Sequence, residues 1–137
     1  MWIIDASVAA KWFFTDELLR EKALQVREVL LQKPLNFAVP PLFYSELIHV
    51  LARKSAGQKQ FVQDALNLIM NLGLPAVFLS SEGLAKAVQL SCEGLSGYDA
   101  TYLGLAHQLK ARWISADIQA VKKVPSSLAI ELAFWES

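Results

Sequence analysis

Five short apolar runs, each closed by a turn signal and separated from the next by helical periodicity, constrain this chain more than any other feature. They are Trp2-Ile3-Ile4-Asp5, the stretch "NFAVPP" from Asn36, the stretch "PAVFL" from Pro75, Arg112-Trp113-Ile114-Ser115, and the weaker "SLAIEL" from Ser127. Between them, "TDELLREKALQVREVLLQK" places Leu19, Ala23, Val26 and Leu30 on one stripe with charges opposite, which predicts an amphipathic helix. A short helix is predicted to start near Ser7, with that hydroxyl as its N-cap. Further helices are predicted from about Leu42 to Ser55, Gln58 to Asn71, Ser80 to Glu93, Ser96 to Lys110 and Ala116 to Val124, the first two separated by Gly57. Strands that alternate with helices form a parallel sheet covered on both faces. In such sheets ligands bind outside the carboxyl ends of the strands.

The chain has 137 residues, a length that suits one domain over 1–137. It has no internal repeat and no Gly-, Ser- or Pro-rich linker. A single cysteine, Cys92, excludes an internal disulfide framework and cysteine-based zinc spacing, as expected of a cytoplasmic protein. The first residues lack the basic start, apolar run and cleavage site of a secretory signal. No uncharged apolar stretch approaches the ~20 residues of a membrane span.

Four acids then stand out by position. Asp5 closes the first strand and Asp117, in "WISAD", follows the fourth. Either one alone has a second reading as a helix cap, and for Asp117 capping is the stronger reading. Glu46 lies four residues from both Leu42 and Val50, on the face of its helix that also carries Phe43, Leu47 and Leu51. A carboxylate there costs several kcal/mol unless it is paired, protonated, bound to metal or able to reach water. Asp99, in "LSGYDATYLGLA", shares a face with Tyr102, Leu103 and Ala106. It also fits a capping box opened by Ser96, a role that competes with metal binding. Two such acids at ~5 Å and an effective dielectric of ~20 repel by about 3 kcal/mol, so four in one cleft require protons or a divalent cation. Oxygen ligands without histidine or cysteine favour magnesium or manganese. Such a centre suits hydrolysis of a phosphodiester.

The segments "IIDASV", "FYSELIHVL", "LSGYDATYLGLA" and "WISAD", in this order and spacing, resemble the PIN-domain ribonucleases, and among them the VapC-type toxins of toxin–antitoxin pairs. The resemblance runs almost end to end. It implies a three-layer α/β fold with a parallel sheet in the order 3-2-1-4-5 and helices on both faces. It also implies an endoribonuclease that uses Mg²⁺ or Mn²⁺, as one or two ions, at Asp5, Glu46, Asp99 and Asp117. Ser7 and Ser115 would orient carboxylates or substrate. A homodimer and a small VapB-type antitoxin are the implied partners, with no membrane. One position departs from the family pattern: three residues after Glu46 stands His49 where asparagine is common, so His49 either helps position groups near the site or does nothing there.

Thirteen basic and thirteen acidic residues cancel, so net charge gives no support to nucleic-acid binding. With the four acids neutralised by metal, nine acids face thirteen bases. Arg53, Lys54 and Lys59 after Glu46, and Lys110, Arg112, Lys122 and Lys123 around Asp117, then supply candidate phosphate contacts beside ordinary solvated helix ends. Among the aromatic residues, Phe134 and Trp135 are candidates for a partner surface. A different class of function stays open, a PIN-like module that binds protein or RNA without cutting. A phosphate-accepting Asp5 fits worse, since a phosphatase of that kind needs an acid at position 7 and a receiver needs an acidic pair beside the first strand.

Overall fold

A computed structural model describes residues 1–137. The chain runs β1 (Trp2–Ile4), α1 (Ala6–Ala10), α2 (Arg20–Gln32), β2 (Phe37–Ala38), α3 (Leu42–Lys54), α4 (Lys59–Met70), α5 (Ser81–Cys92), α6 (Gly97–Leu109), β3 (Arg112–Ser115), α7 (Ile118–Lys122) and β4 (Ala129–Glu131). The sheet has the order β2-β1-β3-β4 and every pair is parallel. Successive strand residues point to opposite faces, and Ile3, Ile4, Trp113, Ile114 and Ser115 are all fully buried. Helices therefore cover both sides, and the α/β architecture expected from the alternation is present.

The expected third strand is not a strand. Around "PAVFL" the chain makes one isolated parallel bridge, Val39 to Ala76, held by Val39 N–H donating to Pro75 O at 3.0 Å and Val77 N–H to Val39 O at 2.9 Å. Pro75 lacks an N–H, and Pro40 and Pro41 remove the donors that would carry the ladder forward, so pairing stops after one rung. The segment still lies beside β2, where the implied order 3-2-1-4-5 puts it.

Two helix starts also differ. Asp5, not Ser7, is the N-cap of α1, with extended backbone and a carboxylate that accepts from Ser7 N–H. At α2, Ala23, Val26 and Leu30 are fully buried as the stripe requires. Leu19 instead sits before the helix at φ 58°, and 46 % of it is exposed. Along α3, Phe43, Leu47 and Leu51 face the core and contribute about 1.5–3 kcal/mol each by burial. Leu42, Glu46 and Val50 form the half-buried margin of that face. The sharp α3–α4 turn needs positive φ at Ala56 and at Gly57, and Gly57 adopts it without strain.

The chain end turns inward. Trp135 is 1 % exposed and meets Trp2 edge-on at 5.9 Å between ring centroids, so it is core rather than partner surface. Phe134 beside it is exposed. No helix is long and apolar enough to cross a membrane.

Candidate active site

The chain leaves β1 for β2 on one side and returns to lay β3 on the other, so strand order reverses between β1 and β3. The crevice at such a reversal is where doubly wound sheets bind ligands. Asp5 stands at the end of β1, its N–H donating to Ile114 O of β3 at 3.0 Å. Asp117 stands two residues beyond β3.

Two serines bind these strand ends together. Ser115, fully buried, donates its hydroxyl to Asp5 Oδ2 at 3.3 Å and accepts from Asp117 N–H at 3.0 Å. The Ser7 hydroxyl also donates to Asp5 Oδ2 and accepts from Ala116 N–H at 3.2 Å. With Ser7 N–H at 3.2 Å, three donors converge on Oδ2, and none on Oδ1. Asp5 is thus fixed in direction with one oxygen left over. Burial pushes its pKa up to about 6, opposed by the Ser7 hydrogen bonds and reinforced by the charges of Glu46 and Asp99.

Glu46 reaches the same place from α3. Burial raises its pKa, the Tyr102 hydroxyl lowers it, and Asp99 raises it further. Its Oε1 is buried without a hydrogen-bond partner, and so is the Tyr102 hydroxyl. The two groups approach each other without completing a bond. Tyr102 stacks on Trp113 with ring centroids 5.7 Å apart, which holds its ring in place. Its own pKa is driven up by burial, then by Asp5 and Glu46.

Asp99 occupies the first turn of α6. Ser96 caps that helix by accepting from Asp99 N–H at 3.1 Å, but the reciprocal half of a capping box, from the Asp99 carboxylate to Ser96 N–H, is not formed. The Asp99 carboxylate is therefore not spent on the Ser96 N–H. Burial raises its pKa, the Ser96 hydroxyl lowers it, Asp117 raises it and Lys123 lowers it. Asp117 is more exposed and caps α7, Oδ1 accepting from Ala120 N–H at 3.1 Å.

Asp5, Glu46 and Asp99 are thus brought within mutual electrostatic reach, and Asp117 is coupled to them through Asp99. No three of these side chains are drawn tightly enough to make a closed metal cage. His49 is exposed on α3 and lines an open cleft next to Glu46. Of the nearby bases, Lys54 is engaged by Glu17 and lies 5.6 Å from the Phe14 ring centre, whereas Lys123 faces Asp99. Tyr102, which the sequence pattern presents only as a neighbour of Asp99 on one helix face, joins the site through its hydroxyl. The signal was its hydroxyl, placed by an i+3 spacing on the same face as an acid.

The donor chemistry, though not a preformed cage, suits a divalent cation. Three carboxylates whose pKa values burial raises, an orphaned Glu46 Oε1 and an Asp5 Oδ1 without a donor are hard oxygen ligands, with only Lys123 bringing positive charge, at Asp99.

Residues 2–125 match the PIN domain family. No curated protein matches the sequence. Among solved structures, the fold is similar to that of VapBC2 from Rickettsia felis bound to a promoter DNA fragment, with TM-score 0.73 at 14 % identity, covering 98 % of each chain. It is similar to VapC20 of Mycobacterium tuberculosis, a sarcin–ricin loop cleaving toxin, with TM-score 0.66 at 13 % identity over 88 % of this chain and 94 % of that one. A toxin–antitoxin complex from Klebsiella pneumoniae aligns with TM-score 0.62 at 19 % identity, over 95 % of this chain and all of that one. At these identities the likeness is one of fold.

Proposed function

The chain belongs to the PIN-domain family, and from that premise we propose that it is a metal-dependent endoribonuclease of the VapC type, one domain over residues 1–137. Asp5, Glu46, Asp99 and Asp117 are its metal-binding and catalytic carboxylates in this reading. The observation that carries it is the gathering of Asp5, Glu46 and Asp99, from remote parts of the chain, at the switch point of the sheet, each partly or fully buried so that burial first, and neighbouring acids second, raise its pKa. Burying carboxylates beside one another is expensive for a purely structural role, and a cation would relieve the cost.

Mg²⁺ or Mn²⁺, as one or two ions, would be held by these oxygens and would supply an activated water and charge stabilisation on the phosphoryl group. Asp5 presents its free Oδ1 because Ser7 and Ser115 hold Oδ2. Tyr102 steadies the ionised form of Glu46. Asp117 contributes from the rim, where Oδ1 already serves the α7 cap. Lys123 supplies a positive charge beside Asp99 for a substrate phosphate. A small antitoxin as inhibitor, a homodimer and a cytoplasmic setting complete the proposal, supported by the fold shared with toxin–antitoxin proteins.

The test is cleavage of a structured RNA with Mg²⁺ or Mn²⁺ by the natural chain and by Asp99→Asn. Activity in the first and its loss in the second is the expected result, and equal rates remove the mechanism. A second reading, a PIN-like module that binds without cutting, draws on the open spacing of the four acids and on the capping duty of Asp117. Calorimetry separates the two: saturable Mn²⁺ binding at millimolar concentration supports the nuclease, and its absence supports the module.

A further inference from the structure

One cleft beside the carboxylates shares only Glu46 with the scheme above. It lies between α3 and the first turn of α6, has a volume of about 370 Å³ and is lined by Leu42, Ser45, Glu46, His49, Val50 and Tyr98. Glu46 belongs both to this cleft and to the acid group, so the two are continuous. Tyr98 immediately precedes Asp99 in the chain, and 64 % of it is exposed. The half-buried side chains of Leu42 and Val50 make an apolar wall, one helical turn to either side of Glu46. Ser45 and His49, four residues apart and exposed, bring a hydroxyl and ring nitrogens to the rim.

An exposed aromatic face, an apolar wall and a few polar atoms at the edge suit an unstacked base of single-stranded RNA. Charge points the same way. A base is neutral and planar, so it would enter beside Glu46 without adding to the repulsion there, with its phosphate toward the acid group and Lys123, which acts on Asp99.

We propose that this cleft is a base-binding subsite for single-stranded RNA, in which Tyr98 stacks on the nucleobase next to the phosphate under attack and Ser45 and His49 contact its edge. The proposal rests on the ribonuclease reading and adds to it a source of base preference. The His49 ring offers a nitrogen donor and a nitrogen acceptor to the base edge.

The experiment compares ribose 5-phosphate with the four nucleoside 5′-monophosphates, titrated in Mn²⁺ and followed by amide chemical shifts. At least one nucleotide is expected to bind about tenfold more tightly than the base-free sugar phosphate, with shifts in α3 and the start of α6, in keeping with the worth of one base–aromatic stack. That preference should survive Tyr98→Phe and vanish in Tyr98→Ala, with ribose 5-phosphate affinity the same in all three. Equal affinity for sugar phosphate and nucleotides, a preference that persists in Tyr98→Ala, or shifts that spare α3 would each overturn the subsite. A parallel cleavage assay on single-stranded RNA keeps the two ideas apart. A natural chain that cuts no RNA removes the nuclease reading while the titration still reports on the cleft. In an active enzyme, Tyr98→Ala should lose about tenfold in kcat/KM, most of it in KM, and an unchanged KM counts against the subsite.

Discussion

Replacing Asp5 by asparagine should make the metal-free protein more stable. The ordinary carboxyl value of 3.8 applies to the unfolded chain, and burial lifts it to about 6 in the fold. The folded state then holds this proton more tightly than the unfolded state does. The contribution is therefore fully present below about pH 4, falls as pH rises through 6, and is gone by neutral pH. At ~1.4 kcal/mol per pKa unit, the ionised carboxylate costs the fold about 3 kcal/mol. Asparagine has nearly the same shape, caps a helix as well as aspartate, and keeps an acceptor for Ser7 and Ser115. Urea unfolding at pH 7.5, without metal, should show Asp5→Asn more stable by about 2–3 kcal/mol, roughly 10 °C in Tm. The gap should close as pH falls toward 4. Mn²⁺ at about a hundred times its Kd should add about 2.7 kcal/mol to the natural chain at pH 7.5 and little to the variant. A variant equal to or weaker than its parent at pH 7.5 would refute the reasoning, because the carboxylate would then be paying its way through its hydrogen bonds.

Three other substitutions probe the surroundings of that group. Ser115→Ala removes a donor from Asp5 and an acceptor from Asp117 N–H; it should cost about 1–3 kcal/mol in chemical denaturation and about 10–100-fold in metal-dependent cleavage. Tyr102→Phe removes a buried hydroxyl that completes no hydrogen bond but lies beside Glu46 and lowers its pKa; Tm should hold within a few degrees, while Mn²⁺ affinity measured by calorimetry falls about two- to threefold. Gly104→Ala would place a Cβ 2.5 Å from Gly83 O, where α5 and α6 cross; the helices must part, at about 1–3 kcal/mol in thermal unfolding, with Mn²⁺ affinity unchanged.

Much of the fold is legible before any coordinates. The strands at Trp2 and Arg112 lie where their apolar runs place them, and the helices from Leu42, Lys59, Ser81 and Gly97 begin and end within a residue or two of expectation. Their periodicity is local and written in neighbouring residues. Phe78 shows where that logic stops: "PAVFL" reads as a strand, yet the run makes one bridge and leaves Phe78 exposed. Pro40, Pro41 and Pro75 decide that outcome, and only once the two segments are side by side.

Sequence alone singles out Asp5, Glu46, Asp99 and Asp117 as candidates, together with the small hydroxyl two residues after Asp5. Sequence also determined that the chain would build a parallel sheet, because strand and helix periods alternate along it. Tertiary structure alone decided which oxygen of Asp5 is tied down, that Ser115 joins β1 to β3 across 110 residues, that Tyr102 faces Glu46, and that Trp135 is core. The reason is physical: a residue's helical or strand face is set by its near neighbours, whereas its burial, its pKa and its hydrogen-bond partners depend on segments that meet only when the sheet closes.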